Sequence, residues 1–218
     1  MFKDVFNRGN IVALSEFRPV QRSPLIAEVK TYWDRLRNGR AAPTRAEIDA
    51  RGIQNALGHA FLIDRIAPGQ ARFRIAGTHL CDLMGMEVRG MPLSALFELS
   101  ARPALSEHLE AVFRTPEVVE FGLTAEGGVR REALSGQMIL LPLLDSAGLG
   151  THALGCIDVE GVIGQHPRRL LIAGTRRQAI LRPVSDSARR MGFAEAVAAY
   201  QPPAASARPR LRLVKSDG

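Results

Sequence analysis

Cysteine is scarce in this chain: Cys81 and Cys156 are the only two in 218 residues. Two cysteines so far apart build neither a disulfide framework nor a zinc quartet, and a reducing cytoplasm is the expected compartment. Long apolar runs are missing too. None approaches the roughly 18 residues of a membrane helix. The N-terminal MFKDVFNRGNIVALSEF is broken by Lys3, Asp4, Arg8 and Asn10, so it lacks the apolar stretch of a secretory signal. Aromatics make up 6%, and none follows Tyr200, which leaves the C-terminal segment no ring for stacking single-stranded bases.

The common catalytic signatures are absent as well. No serine occupies a G-x-S-x-G elbow. Gly85-Met-Glu-Val-Arg-Gly90 has the glycine spacing of a phosphate loop without the Lys-Ser/Thr that would follow, and reads as a turn. There is no dinucleotide fingerprint and no metalloprotease helix. No catalytic residue is assigned, and a non-catalytic protein is expected.

What is present is an ordinary globular core composition, 46% hydrophobic, and a lopsided charge. The net +7 divides into +2 over residues 1–23, −3 over 24–164 and +8 over 165–218. The basicity therefore belongs to the C-terminal segment and says little about the body of the chain.

In chain order, Ser23-Pro24 supplies a hydroxyl cap and a first-turn proline for a helix that stops at Asn38-Gly39. Its stripe is Leu25, Val29, Tyr32 and Leu36, with Trp33 alongside. Thr44-Arg-Ala-Glu47 is a capping box for a short second helix carrying Ile48. Ala60–Ile66 and Arg72–Ile75 alternate as strands joined at Pro68-Gly69. Thr78 is placed to cap a short helix with Leu80, Leu83 and Met84, which Gly85 ends. Pro103–Arg114 is a helix with Leu105, Leu109, Val112 and Phe113 inward, ended by Pro116. Strands follow at 117–124, 133–144 and 152–160; residues 170–173 can form another, and 186–200 a helix.

The sequence Leu83-Met84-Gly85, Val88-Arg89-Gly90, Leu93-Ser94-Ala95-Leu96-Phe97 resembles the PAS family of sensory domains. There a strand runs into a short helix, a glycine turn and a hydrophobic segment. With Tyr32-Trp33 in the leading helix, the likeness is to short stand-alone bacterial members, and it spans Ser23 to Gly164. It implies a signalling module that senses a small ligand or docks a partner protein, and pairing through the leading helix. Thr78-His-Leu-Cys-Asp-Leu differs from the cysteine-centred helix of the light-sensing members, so covalent flavin chemistry is not implied and no cofactor is named.

The expected architecture is thus α+β: an antiparallel sheet of about five strands with flanking short helices, over residues 23–164. An extension, 1–22, precedes it with the amphipathic helix following, and a basic, partly disordered C-terminal extension, 165–218, ends it. Phe61, Ile63, Phe73, Ile75, Leu80, Leu83, Met84, Phe97, Met138 and Leu140 are placed between sheet and helices. They line a small apolar cavity or fill a solid core; Met84, Met91 and Met138 are adaptable enough for either. Leu25, Val29, Tyr32, Trp33 and Leu36 are the candidate homodimer face. His79 and Cys81 have metal-ligating chemistry but sit two apart on a helix, facing different ways, so no metal site is assigned. His59 stands at the entrance to the first strand; Glu120, Gln137 and Asp158 lie on later strands.

The alternative reading is a nucleic-acid-associated protein that uses the basic tail. Nearly all affinity would then come from that tail, since the acidic body repels phosphate. Deleting Arg208–Gly218 removes four basic residues and Asp217. For a tail-bound nucleic acid the salt slope should flatten by up to roughly 3–4 units. For a sensory module, ligand retention and dimerisation should be unchanged. The latter is expected, with only weak, salt-sensitive binding by the full chain in an electrophoretic shift assay.

Overall fold

A computed structural model describes residues 22–128 and 131–180. The extension up to Gln21, the expected helix at 186–200 and the basic tail lie outside the described residues. The elements are α1 (Pro24–Arg37), β1 (Ala60–Ala67), β2 (Gln70–Ala76), α2 (Thr78–Met84), α3 (Arg102–Arg114), β3 (Glu117–Ala125), β4 (Leu134–Leu144), β5 (Gly150–Glu160) and β6 (Leu171–Ala179). All strands pair antiparallel in the order β2-β1-β5-β4-β3-β6. The fold is α+β, as the alternation of residue types implies, with one strand more than the five expected.

The sheet is apolar on both faces, and this decides the layering. Inward along β3, β4 and β5 point Val119, Phe121 and Leu123, Met138 and Leu140, and Ala153 and Ile157. These meet Leu80, Leu83 and Met84 of α2, Leu93 and Leu96 of a 3₁₀ turn (Leu93–Leu96) with Phe97 just after it, and Leu105, Leu109 and Val112 of α3. Outward point Val118, Ile139, Leu141, Leu143, Leu154 and Cys156, which α1 covers with Ile26, Val29 and Trp33. Ser23 Oγ accepts the Leu25 N–H at 3.2 Å to begin α1, and left-handed Asn38 ends it. Trp33 is 1% exposed and its indole N–H donates to Pro142 O at 2.9 Å.

The capping box forms as expected, with the Glu47 carboxylate accepting the Thr44 N–H at 2.7 Å, but it opens a single 3₁₀ turn, Arg45–Glu47. The cap of α2 is Gly77, one residue before the expected Thr78. A side chain at Gly77 would collide with the Leu57 and Gly58 carbonyls, and the His79 N–H donates to Gly58 O at 2.9 Å. Chain contact, not a hydroxyl, sets this helix start. Gly85, at φ 70°, supplies the left-handed end and donates to Cys81 O.

The sheet continues past Gly164, where sequence reading places the end of the domain. From β5 the chain crosses to β3, and Leu170 is fully buried beside Phe97. The Leu170 N–H donates to Leu96 O and the Glu98 N–H to Leu170 O, which delivers β6 to its edge. Residues 173–179 are exposed, and Arg177 forks onto Glu117 at 2.7 and 3.2 Å. Charged side chains on an exposed edge are a common guard against strand addition.

Two predictions follow from this layering. Trp33→Ala should cost about 3–5 kcal/mol in denaturant melts, because it strips the largest side chain from the outer layer and orphans Pro142 O. Trp33→Phe should cost less. At the other edge, Asp64 takes hydrogen bonds from Arg74 and, at 2.7 Å, from His152 Nδ1, joining β1, β2 and β5. Burial acts to raise the Asp64 carboxyl, but these two donors outweigh it and hold it below its usual range. A lowered carboxyl stabilises above its unfolded pKa of about 3.9, and that stability disappears as pH falls through the folded value. Asp64→Asn should therefore lower stability at pH 7 and flatten the fall in stability below about pH 4.

Candidate functional site

Nine of the ten residues assigned to the space between sheet and helices are there. Phe61, Ile63, Phe73, Leu80, Leu83, Met84, Phe97, Met138 and Leu140 share one buried cluster, against which Met91 packs in part. Phe61 and Phe73 meet edge to face at 5.4 Å. Ile75 is the correction: it is 53% exposed. Ile63 pairs with Phe73 but Leu62 pairs with Ile75, so Arg74 is an extra residue in β2. Such a bulge reverses the alternation and puts Ile75 on the face of Leu62, away from Phe73.

The candidate dimer face is divided. Val29 and Trp33 are buried against the chain's own sheet, and so cannot meet a second copy; Leu25, Tyr32 and Leu36 are half-buried. The Tyr32 hydroxyl is engaged locally, accepting the Asp49 N–H at 2.7 Å.

Neither of two surface clefts is lined by the nine inner residues. One, of about 230 Å³, lies between α1 and β6, beside Lys30, Trp33 and Gln178. The other, of about 770 Å³, is bordered by Glu98, Glu126, Arg131 and Arg169, with Arg168 in its wall. Arg168, which no motif of the sequence marks, is 2% exposed. Its guanidinium donates to Ile163 O at 2.7 Å, Glu132 O at 2.5 Å and Glu126 O at 3.4 Å. Its backbone N–H donates to Leu83 O. A buried cation held by carbonyls pins the β5–β6 connection to the β3–β4 turn. One arginine among many carries no sequence signal for that role.

The polar candidates on the strands turn out to share the outer face. Glu120 receives Arg22 at 2.9 Å, with Lys30 at 3.5 Å. The Ser23 N–H donates to Gln137 Oε1 at 3.3 Å, and the Ser23 hydroxyl to Asp158 Oδ2 at 2.6 Å. His59 and His79 stack beside Asp158, ring centroids 4.2 Å apart. His59 Nδ1 donates to Ile157 O at 3.0 Å and lies 3.5 Å from Asp158 Oδ1. His79 Nε2 accepts the Val159 N–H at 3.3 Å. Burial, with His59 alongside, holds His79 below the usual imidazole range, despite Asp158 and Asp82. Cys81 turns away, half-buried against the inner layer with Sγ 4.0 Å from Glu87. Burial pushes the Cys156 thiol up to about 12, with Asp158 and Glu28 adding to the effect.

These features place the chain among known proteins. A family model described as "PAS domain" matches residues 21–158. No curated protein matches the chain. Among solved structures, an RNA-binding light-oxygen-voltage receptor aligns at 18% identity and TM-score 0.37, covering 53% of this chain and 35% of that one. A light-oxygen-voltage domain studied with a flavin analogue aligns at 16% identity and TM-score 0.37, covering 51% of this chain and 83% of that one. The blue-light photoreceptor Aureochrome1 LOV, in its light state, aligns at 14% identity and TM-score 0.35, covering 51% and 88%. The chain thus spans about a third of the first of these receptors.

Proposed function

Because the chain belongs to the PAS-domain family, a family of sensory signalling modules, we propose that it is a non-catalytic cytoplasmic regulator. Its inner layer takes a small apolar ligand, and the resulting change is passed to a partner protein. The observation that supports this is the make-up of that layer: nine apolar side chains in one cluster, with Met84, Met91 and Met138 among its contacts. Unbranched thioethers repack around a guest at smaller cost than branched side chains do. Glu120, Gln137, Asp158, His59 and His79 lie on the outer face or at the sheet's margin. Homodimerisation belongs to the same reading, through the half-buried Leu25, Tyr32 and Leu36 of α1.

Native mass spectrometry of freshly purified protein tests the ligand reading. A retained small molecule is expected in the wild-type chain. Met84→Trp should fill the space and abolish retention with little loss of melting temperature. Ile75→Trp, on the exposed side of β2, should leave both unchanged. If the layer is a solid core, Met84→Trp should instead destabilise by about 1–3 kcal/mol. That loss, with no ligand in any variant, would overturn the small-molecule reading.

A further inference from the structure

We propose that His59, His79 and Asp158 form a binding site for a divalent transition-metal ion. Among the described residues they are the one group of three such side chains that converges, with one donor atom from each within 4.8 Å of the others. Around a tetrahedral ion with bonds of about 2.0–2.1 Å, donors stand about 3.3 Å apart. His59 Nδ1 lies 3.5 Å from Asp158 Oδ1, close to that spacing; coordination through it gives up the hydrogen bond to Ile157 O and places the ring proton on Nε2. The His79 donor atom lies within 4.8 Å of both.

The backbone holds the three residues together from separate elements. The His79 N–H donates to Gly58 O, next to His59, and the Ile157 N–H, next to Asp158, donates to His59 O, at 2.9 and 3.0 Å. Donors carried on elements locked in this way lose little entropy when they bind. The carboxylate is oriented as well. Ser23 Oγ, on a residue that is itself buried, donates to Oδ2, which leaves Oδ1 turned toward His59. Carboxylates that ligate metals are commonly held by a further hydrogen bond of this kind. His79 Nε2 carries a lone pair that accepts the Val159 N–H at 3.3 Å, a bond that an ion would replace.

The side chains of His59 and Asp158 are 26% and 19% exposed, so an ion enters from solvent and a coordination position stays open to water. Two imidazoles and one carboxylate select zinc, cobalt, nickel or ferrous iron over magnesium and calcium, which prefer all-oxygen shells.

The test uses the tag-free, full-length chain after chelator treatment. Zinc titration by calorimetry and cobalt titration by visible d–d absorption should each show one ion per chain. Magnesium and calcium should give no signal. His79→Gln keeps an acceptor for the Val159 N–H but is a poor ligand, and Asp158→Asn keeps the shape of the carboxylate; each should weaken zinc at least tenfold. Ser23→Ala should weaken it by about 10–100-fold through loss of carboxylate orientation. Circular dichroism reports whether each variant is folded, and either ligand variant suffices to decide. No saturable zinc or cobalt binding by the wild-type chain overturns the proposal. So does binding that is undiminished in either folded variant, His79→Gln or Asp158→Asn.

Discussion

Covering both faces of a single sheet is the constraint on which the structure depends. β4 and β5 sit near the centre, and their side chains alternate between two apolar layers: Met138 and Leu140 face one way, Ile139 and Leu141 the other. A one-sided cover would leave Ile139, Leu141, Leu143, Leu154 and Cys156 in water. At about 25 cal/mol per Å² of apolar surface, that loss would rival the net stability of a domain of this size. The helix α1 is therefore part of the fold and not an appendage. Trp33 anchors it by filling the outer layer and satisfying Pro142 O at the same time.

That constraint explains which parts of the sequence were legible. Element types follow from local period and turn chemistry, so α1, α3 and the β1–β2 hairpin fall within a residue or two of expectation. Which neighbour an apolar stripe covers is not local information. Leu25, Val29, Tyr32 and Leu36 read as a free stripe because nothing in α1 reports that the sheet's far face is apolar. Trp33, read as lying beside that stripe, is in fact its centre. Ile75 failed for a different reason. Arg72-Phe-Arg-Ile75 alternates without a break, and the bulge at Arg74 becomes visible only in its pairing with Leu62 and Ile63.

The β5–β6 connection shows a third kind of illegibility. Residues 161–170 have neither the period of a helix nor that of a strand, yet Arg168 and Leu170 are among the most buried residues of the chain. A guanidinium has five donors, and three backbone carbonyls take part of that capacity inside a turn-rich segment whose own backbone has few partners. The solvation lost on burying the charge is replaced by carbonyl dipoles, and removing the side chain would leave those carbonyls unpaired. The sixth strand thus reaches the sheet edge through an interaction made from a side chain and other segments' main chain, which no residue pattern encodes.

The polar cluster at the sheet's margin combines all three effects. His59 and His79 lie on successive elements that Gly77 and Gly58 bring into backbone contact, and Asp158 arrives from β5 by register with β1. His79 and Cys81, two apart on α2, face different ways as their spacing implies, and the ring that meets His79 is His59, twenty residues upstream. Ser23 extends the cluster to α1, because one hydroxyl both accepts the Leu25 N–H and donates to Asp158. The carboxylate and the first turn of the helix are consequently not independent. An N-cap of this kind contributes about 0.5–2 kcal/mol. The register of β5 and the start of α1 are therefore fixed against each other at one hydroxyl, which no reading of either segment alone could reveal.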